Sequence, residues 1–216
     1  MARWGMVIDL KRCIGCFSCV ITCKQDHFLP PGMFWNRLLM KETGEYPRVT
    51  KQLYPVLCNH CREVPCVHAC PSGATSKRED GIVVIDADKC VGCTYCVIAC
   101  PYQQRTFYED NKGGYFPGQG LTALETLGRK LYPLTRGTAV KCNFCVEKIE
   151  AGLRDGLKPG LDRRATPGCV NNCPAKARIF GDLDDPESRI SLIIRQRKGF
   201  PLHPEFGTDP AVYYIN

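Results

Sequence analysis

The chain has 216 residues, sixteen of them cysteine, with 29 Lys and Arg against 22 Asp and Glu for a formal charge of +7. The 44 % apolar content counts the cysteines, so side-chain packing alone offers a thin core and something else must help hold the chain. No window approaches the ~18 uncharged apolar residues of a spanning helix, Met1-Ala2-Arg3-Trp4-Gly5 lacks the regions of a signal peptide, and the scattered basic residues are not interleaved with aromatics as nucleic-acid stripes are.

In chain order, a strand over Gly5-Met6-Val7-Ile8-Asp9 leads into Cys13, Cys16, Cys19 and Cys23, spaced C-x2-C-x2-C-x3-C, with a short helix expected from Cys19 to Gln25. The stretch from there to Cys58 holds Pro30-Pro31-Gly32 and Trp35 and reads as an irregular excursion over the surface. Cys58, Cys61, Cys66 and Cys70 follow as C-x2-C-x4-C-x3-C, with Pro71 next. A second strand, Gly81-Ile82-Val83-Val84-Ile85-Asp86, precedes Cys90, Cys93, Cys96 and Cys100, which repeat the first spacing and end on Pro101 with a single-turn helix over Cys96 to Cys100.

A Gly/Pro-rich stretch at Gly113-Gly114-Tyr115-Phe116-Pro117-Gly118 then gives way to Leu121, Leu124, Leu127 and Leu131, the spacing of an amphipathic helix. The fourth group, Cys142, Cys145, Cys169 and Cys173, reads C-x2-C-x23-C-x3-C with Pro174 next, and Val146 to Leu157 inside it predicts a helix. A further helix is expected from Arg189 to Arg197, with Ile190, Ile193 and Ile194 on one side. The tail Val212-Tyr213-Tyr214-Ile215 either wraps a surface or enters a partner, or packs into the core.

Every group opens with C-x2-C and closes with C-x3-C. A loop of the C-x2-C-x2-C type wraps three thiolates around three corners of one iron-sulfur cube, and in two-cluster ferredoxins the fourth Cys ligates the other cube. Gly15 and Gly92, each before the second Cys of its run, suit a backbone that approaches the cluster closely. Structural zinc uses pairs of C-x2-4-C and needs no third Cys two residues on. A disulfide framework would need a secreted small domain, and cysteines this near in sequence bridge poorly. Sixteen thiolates with none left over therefore predict four 4Fe-4S clusters.

A cluster core of about +2 on four thiolates carries about −2, so four would bring the holo-chain from +7 to about −1. Lys11, Arg12, Lys24, Lys89 and Lys141 lie near the loops, where they either offset that charge and tune potential or are simply solvated. His60 sits between Cys58 and Cys61; with four thiolates per cluster already counted, it is expected as a hydrogen-bonding neighbour rather than a ligand. No nucleophile triad, P-loop or nucleotide fingerprint stands out, so no catalytic residue is assigned. The repeated order of strand, Asp, Lys, Cys run and short helix predicts an α+β fold of two pseudo-symmetric bacterial-ferredoxin-like modules, with loop insertions and a C-terminal extension.

With these four motifs in this order the chain resembles the iron-sulfur electron-transfer subunits of the dimethyl sulfoxide reductase (molybdopterin) superfamily. The resemblance covers nearly the whole chain and includes Cys58-Asn59-His60-Cys61 with Pro65-Cys66, Glu79-Asp80-Gly81-Ile82, Lys141-Cys142-Asn143-Phe144-Cys145 and Gly181-Asp182-Leu183-Asp184-Asp185-Pro186. It implies a non-catalytic relay between a molybdenum or tungsten bis-pterin catalytic subunit and a membrane subunit that handles quinone, with no nucleic acid and no small-molecule substrate of its own. Membrane association would be peripheral, through a partner, on either face; a free-standing polyferredoxin is the alternative. The resemblance pairs the first motif with the fourth and the second with the third. One cluster would have Cys13, Cys16, Cys19 and Cys173; the next Cys142, Cys145, Cys169 and Cys23; the third Cys58, Cys61, Cys66 and Cys100; the last Cys90, Cys93, Cys96 and Cys70. The expected modules are then 1–57 with 141–185, and 58–110, with an insertion at 111–140 and a C-terminal helix and tail at 186–216.

Overall fold

A computed structural model describes residues 2–109 and 113–216; residues 111 and 112 of the expected insertion lie outside the described residues. The centre is a small sheet. Strand β1 (Trp4–Asp9) is buried along its whole length, which is why it reads as an apolar run rather than an alternating one. It leads through the first cysteine run into helix α1 (Ser18–Asp26).

Next comes an antiparallel hairpin of two eight-residue strands, β2 (Asn36–Thr43) and β3 (Thr50–Leu57). The irregular excursion expected between Cys23 and Cys58 is thus corrected. Only the base of the hairpin is buried, and its outer half is exposed on both faces, so the period-two signal of a half-buried strand is missing from the sequence. Helix α2 (Pro65–His68) carries Cys66. Strands β4 (Thr75–Lys77) and β5 (Val83–Ile85) pair antiparallel, the latter within the predicted second strand.

Helix α3 (Tyr95–Ile98) is a single turn, and strand β6 (Thr106–Tyr108) is followed by helix α4 (Ala123–Leu131), whose Thr122 and Glu125 form a reciprocal capping box. Strand β7 (Thr138–Val140) pairs with β6 and delivers the chain to Cys142. Helix α5 (Val146–Arg154) stops three residues short of the expected Leu157, because Gly156 takes φ +72° and Leu157 N–H turns back to the Gly152 carbonyl.

The one-turn helix α6 (Gly168–Asn171) carries Cys169 and leads to strand β8 (Arg178–Asp182), antiparallel to β1. Helix α7 (Arg189–Gln196) begins at Ser188, whose Oγ accepts the Ser191 N–H at 3.2 Å. Strand β9 (Val212–Ile215) lies parallel to β1 on its other edge, in the order β8-β1-β9. Of the two fates weighed for the tail, core packing is the one observed.

Candidate metal centres

Each cysteine run is held by its backbone. Asp9 Oδ1 accepts the N–H groups of Lys11 and Arg12, both at 3.1 Å, and Asp86 Oδ1 accepts those of Asp88 at 3.0 Å and Lys89 at 3.4 Å. The same Asx turn therefore opens the first and third runs. In all four runs the residue before the second cysteine is left-handed: Gly15 at φ 70°, His60 at 42°, Gly92 at 72° and Phe144 at 58°. Glycine makes this costless in two runs. The other two hold a strained backbone of the kind found at functional sites, and their rings lie against each other with centroids 3.9 Å apart.

None of the sixteen cysteines forms a disulfide. Cys13, Cys16, Cys19 and Cys173 line one cavity, together with Gly15, Pro55 and Arg178. Cys23 is buried within electrostatic reach of Cys142, Cys169 and Cys145, and burial first, then those neighbours, push its thiol well above the ordinary range. Cys61 is likewise raised to about 12 by burial and by Cys58, Cys66 and Cys100. Around the remaining run, Cys90 and Cys96 pack with Cys66, Val64 and Val83, and Cys93 is half-buried. Burial alone would raise Cys70, but hydrogen bonds from Thr75 and Ser72 bring it down to about 7. Backbone N–H groups point at the last cysteine of three runs: Thr75 to Cys70 at 3.4 Å, Gln104 to Cys100 at 3.5 Å and Ala177 to Cys173 at 3.3 Å.

The sulfurs enclose cations. Arg105, Lys141 and Arg178 are 6 %, 4 % and 4 % exposed. Arg105 Nη2 donates to Cys66 Sγ at 2.9 Å and its Nη1 to Thr75 Oγ1 at 3.1 Å. Arg178 Nη1 donates to Cys169 Sγ at 3.7 Å and its Nη2 to Asn36 Oδ1 at 2.8 Å. Lys141 Nζ donates to the carbonyls of Cys142, at 2.9 Å, and Val83. Among the described residues none of the three pairs with a carboxylate. Of the five basic residues singled out in the sequence, Lys141 alone is buried against these sulfurs; Lys24 holds the Pro30 and Met33 carbonyls, at 2.7 and 3.0 Å, and Lys89 pairs with Asp86 at 3.3 Å. Sequence reasoning missed Arg105 and Arg178. Their signal was present: each lies five residues beyond the last cysteine of its run.

These features fit an iron-sulfur cluster. Three buried cations lack a carboxylate, and buried charge demands an opposite charge; thiolates on iron supply it. His60 Nδ1 accepts the Val83 N–H at 3.0 Å, which puts the ring proton on Nε2, a buried atom with no partner in the protein. A cluster sulfide is the acceptor such a donor lacks. His60 thus lies buried beside Phe144 with one ring nitrogen held by Val83 and the other free to donate.

Cysteine runs of this geometry define a ferredoxin-type iron-sulfur protein, and residues 12–74 and 49–116 each match the 4Fe-4S dicluster domain. A Halobacterium salinarum protein described as the iron-sulfur subunit of a dimethyl sulfoxide reductase is 42 % identical over all of this chain and 80 % of its own length. A tetrathionate reductase subunit of Salmonella typhimurium is 40 % identical over 99 % of this chain and 72 % of its own, and the arsenate respiratory reductase iron-sulfur subunit of a Shewanella species 36 % over 99 % and 96 %. The chain belongs to the iron-sulfur electron-transfer subunits of the dimethyl sulfoxide reductase superfamily. It carries four 4Fe-4S clusters, a number its sixteen cysteines match at four per cluster, and its function is electron transfer for a catalytic subunit.

Proposed function

We propose that the chain relays electrons between a molybdenum or tungsten bis-pterin catalytic subunit and a membrane subunit that handles quinone, along a path fixed by exchange of the last cysteine between paired runs. The observation that carries this reading is the cavity shared by Cys13, Cys16, Cys19 and Cys173, which joins the beginning of the chain to its fourth run. The ligand sets are then Cys13, Cys16, Cys19 and Cys173; Cys23, Cys142, Cys145 and Cys169; Cys58, Cys61, Cys66 and Cys100; and Cys70, Cys90, Cys93 and Cys96. Two pseudo-symmetric modules follow, residues 1–57 with 141–185 and residues 58–110, with 111–140 as an insertion and 186–216 as a C-terminal helix and tail.

When bound, each cluster supplies one-electron storage, with a potential set by net charge, hydrogen bonds to sulfur and solvent. The chain's own groups do the rest. Thiolates bind, backbone N–H groups and the buried cations stabilise negative charge, and the packed core around Trp4, Met6, Leu57 and Phe144 keeps water out. Adjacency supports an ordered path. Cys19 lies within electrostatic reach of Cys169, Cys142 of Cys58, and Arg105 of both Cys66 and Cys96. Attachment to a membrane belongs in this proposal to the partner; no described helix is long and apolar enough to cross one.

Purification of the native complex tests the relay. Co-purification with a pterin-bearing large subunit, and reduction of the iron-sulfur signals by a quinol only when the membrane partner is present, are expected. A lone chain that exchanges electrons freely with soluble carriers would instead be a free-standing polyferredoxin.

A further inference from the structure

Arg105 and Arg178 occupy the same place in two different cysteine runs. Each lies five residues after its run's last cysteine, Cys100 and Cys173, and each starts or adjoins a strand that leaves the cluster region. Each also reaches the third cysteine of two runs. Arg105 bonds Cys66 Sγ and has Cys96 as a further sulfur neighbour. Arg178 bonds Cys169 Sγ, faces the cavity of Cys13, Cys16, Cys19 and Cys173, and has Cys19 within electrostatic reach. Lys141 stands between these two places, next to Cys142 and within reach of Cys58 and Cys66.

We infer that Arg105 and Arg178 are junction cations, each raising together the reduction potentials of the two clusters it lies between. This rests on the ligand sets proposed above, which make Cys66 and Cys96, and likewise Cys169 and Cys19, ligands of different clusters in one module. Adding an electron takes a cluster from about −2 to about −3, and a fixed positive charge in a low-dielectric interior favours the more negative state. Arginine suits the role because its planar fork presents several donors at fixed angles and stays protonated. The second Nη of each fork donates to a neutral acceptor, Thr75 Oγ1 or Asn36 Oδ1, so no carboxylate draws the charge away from sulfur.

The test is potentiometric titration of the anaerobic full-length holoprotein, followed by electron paramagnetic resonance, on Arg105→Gln, Arg178→Gln and the matching lysine variants. Cysteine variants first assign each signal to its run. Arg178→Gln should lower the midpoints of the two clusters assigned to the first and fourth runs and leave the other two unchanged, and Arg105→Gln should do the reverse. Lysine should recover a large part of each shift, since it restores charge without the fork. A shift of one cluster only, an equal shift of all four, no shift, or glutamine and lysine variants that both lose clusters while the survivors keep wild-type potentials would overturn the inference, the last by making the arginines structural braces. If the ligand sets were wrong, the cysteine variants would report it, while each arginine variant would still move two signals as a pair.

Discussion

Ser18 Oγ donates to the backbone carbonyl of Asn172 at 2.6 Å, across 154 positions of sequence. Ser18 lies between two cysteines of the first run, and Asn172 directly precedes the last cysteine of the fourth. This bond, with the packing of α1 on α6, holds the two runs against each other. Gly168 makes the approach possible: a Cβ there would sit 2.0 Å from Asp26 Oδ2 and 3.0 Å from the Thr22 methyl.

Gly168→Ala should therefore displace the Asp26 carboxylate from its ion pair with Lys148 at 2.6 Å and crowd the Thr22 methyl against α6. The expected cost is about 1–3 kcal/mol, the usual range for overpacking a tight contact, with loss of iron-sulfur signal confined to the clusters of the first and fourth runs. Thermal unfolding and spin quantitation measure both. An alanine variant with wild-type Tm and full spin count would show that the close approach is not needed.

His60→Phe keeps an aromatic ring against Phe144 but removes both ring nitrogens. The buried Val83 N–H would lose its acceptor, worth about 1–3 kcal/mol, and the cluster proposed on Cys58 and Cys61 would lose the Nε2–H donor and fall in potential. Denaturant titration and redox titration read the two effects separately. A potential unchanged beside lowered stability would confine His60 to its bond with Val83.

Much of this was legible because metal ligands impose spacing on sequence. The four runs, the strands beginning at Trp4 and Val83, and helices at Ala123, Val146 and Arg189 follow from cysteine spacing, apolar runs and apolar periodicity. What was hidden depends on contacts between distant segments. The β2–β3 hairpin is polar where it leaves the core, and β8 is recognisable only through its partner β1. The left-handed backbone at His60 and Phe144 could not be read from residue type, since only the glycines at the equivalent positions advertise it. Arg105 and Arg178 share a position five residues after Cys100 and Cys173, but only the fold shows that both are buried.

Iron removal should unfold most of the chain. Cys23, Cys58, Cys142 and Cys169 sit in the main core cluster beside Trp4, Met6 and Phe144, so on the proposed ligand sets bonds to iron take the place of part of the packing there. The anaerobic protein is expected to hold about sixteen iron and sixteen sulfide, and chelation to abolish native circular dichroism. Retention of that spectrum in iron-free protein would mean that packing alone sustains the fold.

Cluster charge should reverse the basic character of the polypeptide. With about −2 per cluster, holoprotein should pass through a cation exchanger at neutral pH that retains the unfolded apo-chain, whose sequence pI is 8.7. Equal retention of the two would show that the excess Lys and Arg are not balanced by the clusters.

The central claim, that paired runs exchange their last cysteine, is tested most directly by Cys173→Ala, read by electron paramagnetic resonance during redox titration. Alanine at 173 leaves Cys13, Cys16 and Cys19 with three thiolates, so their signal should vanish or convert to a 3Fe type, while the cluster of Cys142, Cys145 and Cys169 keeps Cys23 and its wild-type signal. Loss of the Cys142, Cys145 and Cys169 signal, with that of Cys13, Cys16 and Cys19 intact, would contradict the exchange and the paired architecture built on it.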